Sequence, residues 1–197
     1  MKIGINGMGR IGRALFREIY RYPDLEIGAI NDAISPENVA YLLKYDSVYG
    51  PFPEPIEVEG NILKVGNRAF PIFNQTDPSR IPWKETEVGM VLECSGQFLQ
   101  HSEATQHLDA GAKNVMLSAP PKGDDISLVV PGVNQSQKDD QVFSCASCTT
   151  NNIAPVMEIM GRTIGVEKAL LTTAHGYTSS QALVDGPHKK FTRGRAA

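Results

Sequence analysis

The chain has 197 residues, a net charge of −3 and 41% hydrophobic residues, which is the composition of a globular protein with a buried core. Charges of both signs are interspersed without a basic cluster, which argues against a nucleic-acid or anionic-membrane partner. No apolar run approaches the roughly 20 residues of a membrane span. Three unevenly spaced cysteines suit neither a disulfide framework nor a metal site. We therefore expect a soluble, cytoplasmic protein without a bound metal ion.

The first 31 residues predict a strand, a helix and a second strand. The strands are Lys2–Asn6 and Glu26–Asn31, and the helix between them covers Arg10–Tyr22 and ends at Pro23. The helix carries apolar residues at helical spacing, namely Ile11, Ala14, Leu15 and Ile19. A strand, a helix and a strand within about 30 residues form a βαβ unit, and they predict a parallel sheet.

The alternation of strands and helices continues to residue 147. Further helices are predicted from Ser35-Pro36 through Leu43 and over Ser102–Ala110, the latter as a surface helix with solvated His101 and His107. Further strands are predicted at Ile56–Glu59, Ile62–Val65, Ala69–Phe73, Val88–Glu93, Asn114–Leu117, Leu128–Val130 and Val142–Ser147. Residues 1–147 are therefore expected to form a Rossmann-type, doubly wound α/β domain.

A new pattern begins at Cys148. A helix is predicted over about 149–164, with a strand-like segment at Glu167–Ala174 and a loop after it. The helix has one apolar face, formed by Ile153, Val156, Met157, Met160 and Ile164, and we expect its two methionines to lie in the core. Residues 148–197 are therefore interpreted as the beginning of an α+β catalytic domain.

A glycine fingerprint lies between the first strand and the first helix. Gly7, Gly9 and Gly12 follow the G-x-G-x-x-G spacing that permits a tight turn and a close approach of a pyrophosphate to the helix N-terminus. Asp32 ends the second strand 20 residues later, where a carboxylate accepts both ribose hydroxyls of NAD and repels the 2′-phosphate of NADP. The plainer alternatives are a glycine turn that only packs a helix on a strand, and an aspartate that caps a turn. The combined pattern favours NAD binding.

Cys148 is a candidate nucleophile because it stands between a strand and a helix. The helix dipole and the first N–H groups stabilise a thiolate there, and the neighbouring hydroxyls of Ser147 and Thr149 suit an anion. The alternative is that Cys148 is a small buried residue.

His175 is the candidate base. The helix would carry the chain about 24 Å away at about 1.5 Å per residue, and the predicted strand would return it by about 26 Å at about 3.3 Å per residue. This match predicts that His175 lies beside Cys148, where an imidazole can pair with a thiolate and move a proton.

Together these residues resemble the phosphorylating glyceraldehyde-3-phosphate dehydrogenases. The resemblance spans almost the whole chain, and ASCTTN followed by the histidine segment is its most specific part. The strings that carry it are INGMGRIGR, IND, LLKYDSVYG, ECSG, GAKNVMLSAPPKGD, GVN, ASCTTN and HGYTSSQ.

The resemblance implies a role for each matching residue. Cys148 would attack the aldehyde of glyceraldehyde 3-phosphate, and His175 would accept the proton as hydride passes to NAD. Inorganic phosphate would then release an acyl phosphate. The cofactor residues implied or supported are Gly7, Gly9, Arg10, Ile11, Gly12, Asp32, Thr76, Ser95, Gly96, Ser118 and Pro187. The substrate and phosphate residues implied are Ser147, Thr149 and Thr178. Thr76 replaces the family's usual arginine, so we expect that adenine-side contact to come from its backbone.

Two other interpretations stay open. One is a dehydrogenase of another phosphorylated aldehyde, such as erythrose 4-phosphate, and the other is a non-catalytic NAD-binding module. Family members continue well past residue 197, so this chain is expected to be a fragment that binds NAD with or without turnover. The family also implies a homotetramer for the intact protein.

Overall fold

The computed structural model of the chain describes residues 1–137, 139–178 and 181. The strands among them are β1 (Lys2–Asn6), β2 (Glu26–Asn31), β3 (Ile56–Glu59), β4 (Ile62–Val65), β5 (Arg68–Phe73), β6 (Val88–Glu93), β7 (Asn114–Leu117), β8 (Ser127–Leu128) and β9 (Val142–Ser144). The helices are α1 (Arg10–Arg21), α2 (Pro36–Lys44), α3 (His101–Ala104), α4 (Gln106–Asp109) and α5 (Cys148–Thr163), with a 3-10 turn at Pro78–Arg80.

The described strands form one sheet in the order β3-β4-β5-β2-β1-β6-β7-β9-β8. β1 pairs in parallel with β2 on one side and with β6 on the other, and β7 and β9 extend the parallel part. β3, β4 and β5 form an antiparallel meander that joins β2 through β5. The predicted doubly wound α/β architecture is confirmed, with the change of winding direction at β1, where this architecture binds its ligands.

Helix α1 buries only part of the face that the apolar spacing predicted: Ile19 is buried, and Ala14 and Leu15 are half-buried. Ile11 is exposed, whereas Phe16 is fully buried. The Phe16 ring packs edge-on against Phe70, with 5.3 Å between the centroids, and also against Phe52 at 6.1 Å. This aromatic cluster rotates the buried face away from Ile11, because a large ring gains more from burial than the smaller side chain does.

The helix predicted over Ser102–Ala110 is divided into α3 and α4 at Thr105. The expectation that His107 is solvated is wrong, because its side chain is fully buried. Its two ring nitrogens bond to Trp83 and Glu93 in the interior. A tighter turn at Thr105, where the Leu108 amide bonds to the Thr105 carbonyl, accompanies this inward placement.

Three predicted strands differ from the structure. β9 ends at Ser144 instead of Ser147, because Ala146 has a φ of +60° that no strand accommodates. β8 ends at Leu128 instead of Val130, because the Asn134 side chain bonds the backbone there. Residues 167–174 form no strand, because none of the described strands pairs with them, and a strand exists only where a neighbour supplies its backbone partners.

The chain divides into two compact units, Met1–Ile159 and Met160–Ala197. Helix α5 forms where the sequence predicted it, but it has no buried residue, so the expected core position of Met160 is wrong. Helical spacing indicates a face that is able to pack, and burial also requires a covering surface. In the described part of the chain, every helix is too short or too polar to cross a membrane.

Trp83 is the packing anchor that the sequence predicted, and its ring is fully buried among Ala29, Val88 and Val91. Gly4 on β1 makes room for it. A Cβ atom at Gly4 would lie 2.8 Å from Cζ3 of Trp83 and 2.9 Å from a methyl carbon of Val88. Gly4 is therefore required by packing.

We predict that Gly4→Ala lowers the free energy of unfolding by about 1–3 kcal/mol, the usual cost of overfilling a packed core. Urea unfolding followed through the fluorescence of Trp83, the chain's single tryptophan, measures it. Gly161→Ala is the control, because a Cβ atom there meets no atom within 4 Å apart from the neighbouring backbone of its own helix, and α5 gains a better helix former. Equal unfolding midpoints for the two variants would contradict the packing argument.

Candidate functional site

The predicted site residues of the first unit gather at one edge of the sheet. The glycine loop follows β1, Asp32 follows β2, Ser95 lies two residues after β6, and Ser118 follows β7. Cys148 lies four residues after β9. Because these five strands are parallel, their carboxyl ends meet at the same edge, on both sides of the switch in winding at β1.

The glycine loop needs its glycines for three different reasons. Gly7 has a φ of +94°, and a Cβ atom there would lie 2.5 Å from the Ser95 nitrogen. A Cβ atom on Gly12 would lie against the carbonyl oxygen of Gly7. At Gly9 a Cβ atom would meet no other atom within 4 Å, so this backbone faces open space at the start of α1. Gly7 and Gly12 build the loop, and Gly9 leaves it accessible to a phosphate.

Asp32 ties the end of β2 to the glycine loop. One carboxylate oxygen accepts from the Met8 amide at 2.5 Å, and the other accepts from the Ile34 amide at 2.9 Å. The side chain thus caps a turn, as the plainer alternative proposed. A carboxylate has about four acceptor positions, so two bonds leave capacity for ribose hydroxyls.

A cavity of about 190 Å³ lies between the glycine loop, Asp32 and Ser95. It is also lined by Asn6, Asn31, Gln75 and Gln97. A larger hollow of about 410 Å³ runs along the outer face of α1 beside Ile11 and Tyr49, and it contains neither the glycines nor Asp32. We assign the site to the smaller cavity, because the glycine loop and the strand-end residues Asn6, Asn31 and Asp32 line it and do not line the larger one.

Arg10 and Ile11 occupy the first turn of α1, where the first N–H groups have no intrahelical partner. The Arg10 side chain pairs with the buried carboxylate of Asp46 at 2.5 Å. Burial would raise the pKa of Asp46, but the bonds donated by the Tyr49 amide, the Arg10 side chain and the Val48 amide outweigh it and hold that pKa well below its usual value. The Arg10 guanidinium therefore anchors a loop and leaves its backbone for a ligand.

The remaining predicted cofactor residues of this unit differ in exposure. Thr76 is exposed beside Gln75, after β5. Gly96 has a φ of +71° in the loop after β6. Ser118 is half-buried, and its amide bonds to the Glu93 carbonyl at 3.0 Å. Gly96 and Ser118 thus lie at the sheet edge that carries the cavity.

Cys148 is exposed and is the first residue of α5. Ala146, two residues earlier, has a left-handed φ of +60° although it is not glycine. The Ser144 hydroxyl holds this turn by accepting from the Ala146 amide at 3.0 Å. Backbone strain of this kind, of order 1–3 kcal/mol, clusters at functional sites.

The two other cysteines lie in less reactive surroundings. Burial raises the pKa of Cys94 to about 12, and burial also raises the pKa of Cys145. The thiolate is the reactive form of cysteine. Of the three thiols, Cys148 is the one that the fold exposes.

Ser147 and Thr149 flank the nucleophile position. The Ser147 hydroxyl accepts from the Thr150 amide at 2.9 Å, so it caps the N-terminus of α5. Thr149 is half-buried in the first turn. Both stand where helix N–H groups favour an anion.

His175 and Thr178 belong to the second unit, and both are exposed. The Nδ1 atom of His175 donates to the Gly176 carbonyl at 2.5 Å, which makes Nε2 the nitrogen that can accept a proton. The predicted pairing of His175 with Cys148 stays a prediction, and its geometric basis was the strand that is absent. Pro187 lies outside the described residues.

Six of the residues that line the cavity were not predicted from the sequence: Ala33, Cys94 and four residues with amide side chains, namely Asn6, Asn31, Gln75 and Gln97. A signal was present, because both β1 and β2 end in Ile-Asn, at Ile5-Asn6 and Ile30-Asn31. A polar residue that ends an apolar strand at a ligand-binding edge is a candidate for that edge.

The arrangement fits a dinucleotide. The open backbone at Gly9 and the N-terminus of the 12-residue helix α1 suit a pyrophosphate, and the carboxylate of Asp32 suits a ribose. The exposed thiol of Cys148 at the same sheet edge suits nucleophilic attack on a carbonyl.

Comparison with known proteins agrees with this geometry. Residues 1–101 match the family described as glyceraldehyde 3-phosphate dehydrogenase, NAD binding domain, and residues 147–197 match its C-terminal domain. Over the whole chain, the identity is 44% to the glyceraldehyde-3-phosphate dehydrogenase of Thermotoga maritima, 43% to that of Geobacillus stearothermophilus and 44% to that of Haloarcula vallismortis. The chain spans 59–60% of the length of these relatives. It belongs to the glyceraldehyde-3-phosphate dehydrogenase family.

Proposed function

We propose that the protein is a phosphorylating glyceraldehyde-3-phosphate dehydrogenase, an NAD-dependent oxidoreductase of glycolysis and gluconeogenesis. The exposed position of Cys148, at the first residue of α5 and at the sheet edge that carries the glycine loop, is the observation that carries this proposal. In this assignment residues 1–147 form the NAD-binding domain, and residues 148–197 begin the catalytic domain.

NAD is the cofactor in this proposal, and it supplies the acceptor for a hydride. Gly9 and the first turn of α1, with the Arg10 and Ile11 amides, hold the pyrophosphate. Asp32 holds the adenosine ribose and disfavours NADP by charge repulsion. Thr76, Ser95, Gly96 and Ser118 line the cleft, and Pro187 is assigned to the cofactor on the family resemblance alone.

The reaction proceeds through a covalent bond to Cys148. The thiolate attacks the aldehyde carbon of glyceraldehyde 3-phosphate, its electron pair forms the S–C bond, and the C=O π pair moves to the oxygen, which takes a proton from the His175 imidazolium to give a thiohemiacetal. Nε2 of the now neutral His175 takes this hydroxyl proton back as the thioester forms, and bound NAD would accept the hydride that leaves the carbon. An oxygen of inorganic phosphate then attacks the thioester carbon, releasing 1,3-bisphosphoglycerate and the Cys148 thiolate.

Three residues are assigned to the phosphate groups of this reaction. Ser147 and Thr149 hold the attacking phosphate, and the helix N-terminus of α5 supports that role. Thr178 holds the phosphate of the substrate, and its amide already bonds the Gln181 side chain at 2.9 Å.

We also propose that the intact protein is a cytoplasmic homotetramer. An exposed nucleophilic thiol functions in a reducing compartment, which supports the location. Four exposed apolar side chains follow one another along α2 and the loop after it, and they support an interface between subunits, namely Tyr41, Tyr45, Val48 and Tyr49.

The first test is turnover. We expect the intact protein to form NADH from glyceraldehyde 3-phosphate, NAD and phosphate, and Cys148→Ser to lower its kcat/KM by at least about a thousandfold, as removal of a nucleophile does. Cys145→Ser is the control, because this thiol is half-buried. Faster turnover of erythrose 4-phosphate would favour that alternative substrate, and NAD binding without NADH formation would favour a non-catalytic module.

We predict that iodoacetamide at neutral pH modifies Cys148 first. A pKa of about 12 for Cys94, raised from 9.0, reduces its thiolate fraction about a thousandfold, and its reactivity appears only as the pH rises toward that pKa. Mass spectrometry of the labelled peptides gives the order of modification. Equal labelling of the three cysteines would contradict the prediction.

We predict that Asp32→Asn weakens NAD binding about tenfold and reduces the preference for NAD over NADP. The first effect follows from losing charged hydrogen bonds to the ribose, and the second follows from losing the repulsion of a 2′-phosphate. Isothermal titration calorimetry measures both affinities. Asp77→Asn is the matched control, because Asp77 caps the 3-10 turn at Pro78–Arg80 and does not line the cavity. The same affinity for NAD in Asp32→Asn as in the unmodified chain would refute the assignment.

A further inference from the structure

A chain of buried polar side chains lies beneath the cavity and takes no part in the proposed reaction. Nε1 of Trp83 donates to Nδ1 of His107 at 3.1 Å, and Nε2 of His107 lies 3.0 Å from Oε2 of Glu93. Asn6 donates to the same carboxylate oxygen at 2.5 Å, and Asn31 donates to Asn6 at 2.8 Å. All five side chains are at least 97% buried.

The hydrogen bonds of this chain have one consistent direction. An indole N–H can only donate, so Nδ1 of His107 must accept, and Nε2 carries the proton that is donated to Glu93. Glu93 is thus the acceptor at which the donors converge. A carboxylate so far from water is tolerable only when such donors surround it.

The network reaches two loops that line the cavity, one through Glu93 and one through Asn31. Oε1 of Glu93 accepts from the Ser95 amide at 2.7 Å and from the Ser95 hydroxyl at 2.5 Å. Asn31 bonds the Gln75 amide and the Gln75 carbonyl, both at 2.9 Å. Ser95 and Gln75 are cavity residues on separate loops. The buried network therefore fixes two walls of the cavity relative to each other.

The glycine loop packs directly against the backbone of Ser95, which forms one of these two walls. The space that a Cβ atom of Gly7 would need is taken by the Ser95 backbone, at 2.5 Å from the nitrogen and 2.6 Å from Cα. Ser95 in turn has both its amide and its hydroxyl bonded to Glu93. A displacement of Ser95 would open or close the cleft between it and the glycine loop.

We propose that Glu93 is a positioning residue for the dinucleotide: it sets the distance between the Ser95 loop and the glycine loop, and so shapes the part of the cavity that takes the adenosine half. Asp32 identifies that half, because it lines the same cavity at the position that binds a ribose. The inference rests on the proposed binding of NAD but not on the proposed catalysis. Glu93 itself is fully buried and does not line the cavity.

A purely structural role for Glu93 makes a different prediction, and Val91→Ala separates the two. Val91 lies on the same strand, is fully buried beside Trp83, and has no polar group to join the network. Glu93→Gln removes the charge and turns an amide group toward donors, whereas Val91→Ala leaves a small cavity. Both substitutions lower the thermal midpoint, but only the first disturbs the Ser95 loop.

The experiment measures NAD and AMP affinity by calorimetry on the whole chain, well below the thermal midpoint, with Trp83 fluorescence as the check of folding. We expect Glu93→Gln to weaken both ligands about tenfold or more, and Val91→Ala to change them less than about twofold. Hydrogen exchange without ligand should quicken at residues 95–97 in Glu93→Gln alone. AMP is included because it carries only the adenosine half.

A second pair of variants serves if Glu93→Gln does not fold. His107→Leu removes one donor to Glu93 from the side remote from the cavity, and His107→Gln keeps an amide that can donate. We expect His107→Leu to weaken NAD and AMP and His107→Gln to restore them.

Unchanged affinities in Glu93→Gln, or an equal loss in Val91→Ala, would overturn the inference. Failure of the unmodified chain to bind either ligand would overturn it together with the proposed NAD binding. NAD binding that depends on Glu93, together with no NADH formation by the intact protein, would refute the proposed catalysis and leave the positioning role standing.

Discussion

A carboxylate without access to water must find its hydrogen-bond donors inside the protein, and Glu93 at the end of β6 is under this constraint. Its donors come from the end of β1 through Asn6, from α4 through His107, and from the loop after β6 through Ser95. The contacts therefore join three separate segments at the point where the sheet changes its winding direction. Because every member of such a network must be bonded, it admits few alternative arrangements of the cleft loops.

The local sequence pattern was sufficient to predict most of the strands of the sheet, but it did not predict this hydrogen-bond network. Most of the strands have the bounds that runs of apolar residues predicted, because these runs are interrupted by turn residues on each side. His107 was assigned to the surface because helical spacing takes account only of neighbours on the same helix. Its partner Trp83 lies 24 positions earlier, and no periodic pattern links the two. Long-range side-chain hydrogen bonds of this kind are therefore outside what a local sequence pattern predicts.

The two halves of the candidate site were predictable to different degrees. The glycine loop, Asp32 and Cys148 lie directly at element boundaries, so their place in the sequence determines their place at the sheet edge. The position of His175 was inferred from the length of a strand that would return toward Cys148. A strand requires a partner as well as a suitable sequence, and none of the strands described in this chain pairs with residues 167–174. The predicted length of helix α5 agrees with the structure, because a helix forms its backbone hydrogen bonds within itself and needs no partner segment.

Burial decides which of the three cysteines can react, and the turn before α5 decides which one is exposed. Cys94 packs against the core beside Ser118, and Cys145 lies half-buried directly after β9. β9 ends at Ser144, so three residues connect the strand to Cys148, the first residue of α5. The left-handed conformation of Ala146 turns the backbone within this connection, at a cost of about 1–3 kcal/mol. The strain is confined to this turn. The turn leaves the thiol of Cys148 exposed to solvent, where helix N–H groups can stabilise its thiolate form.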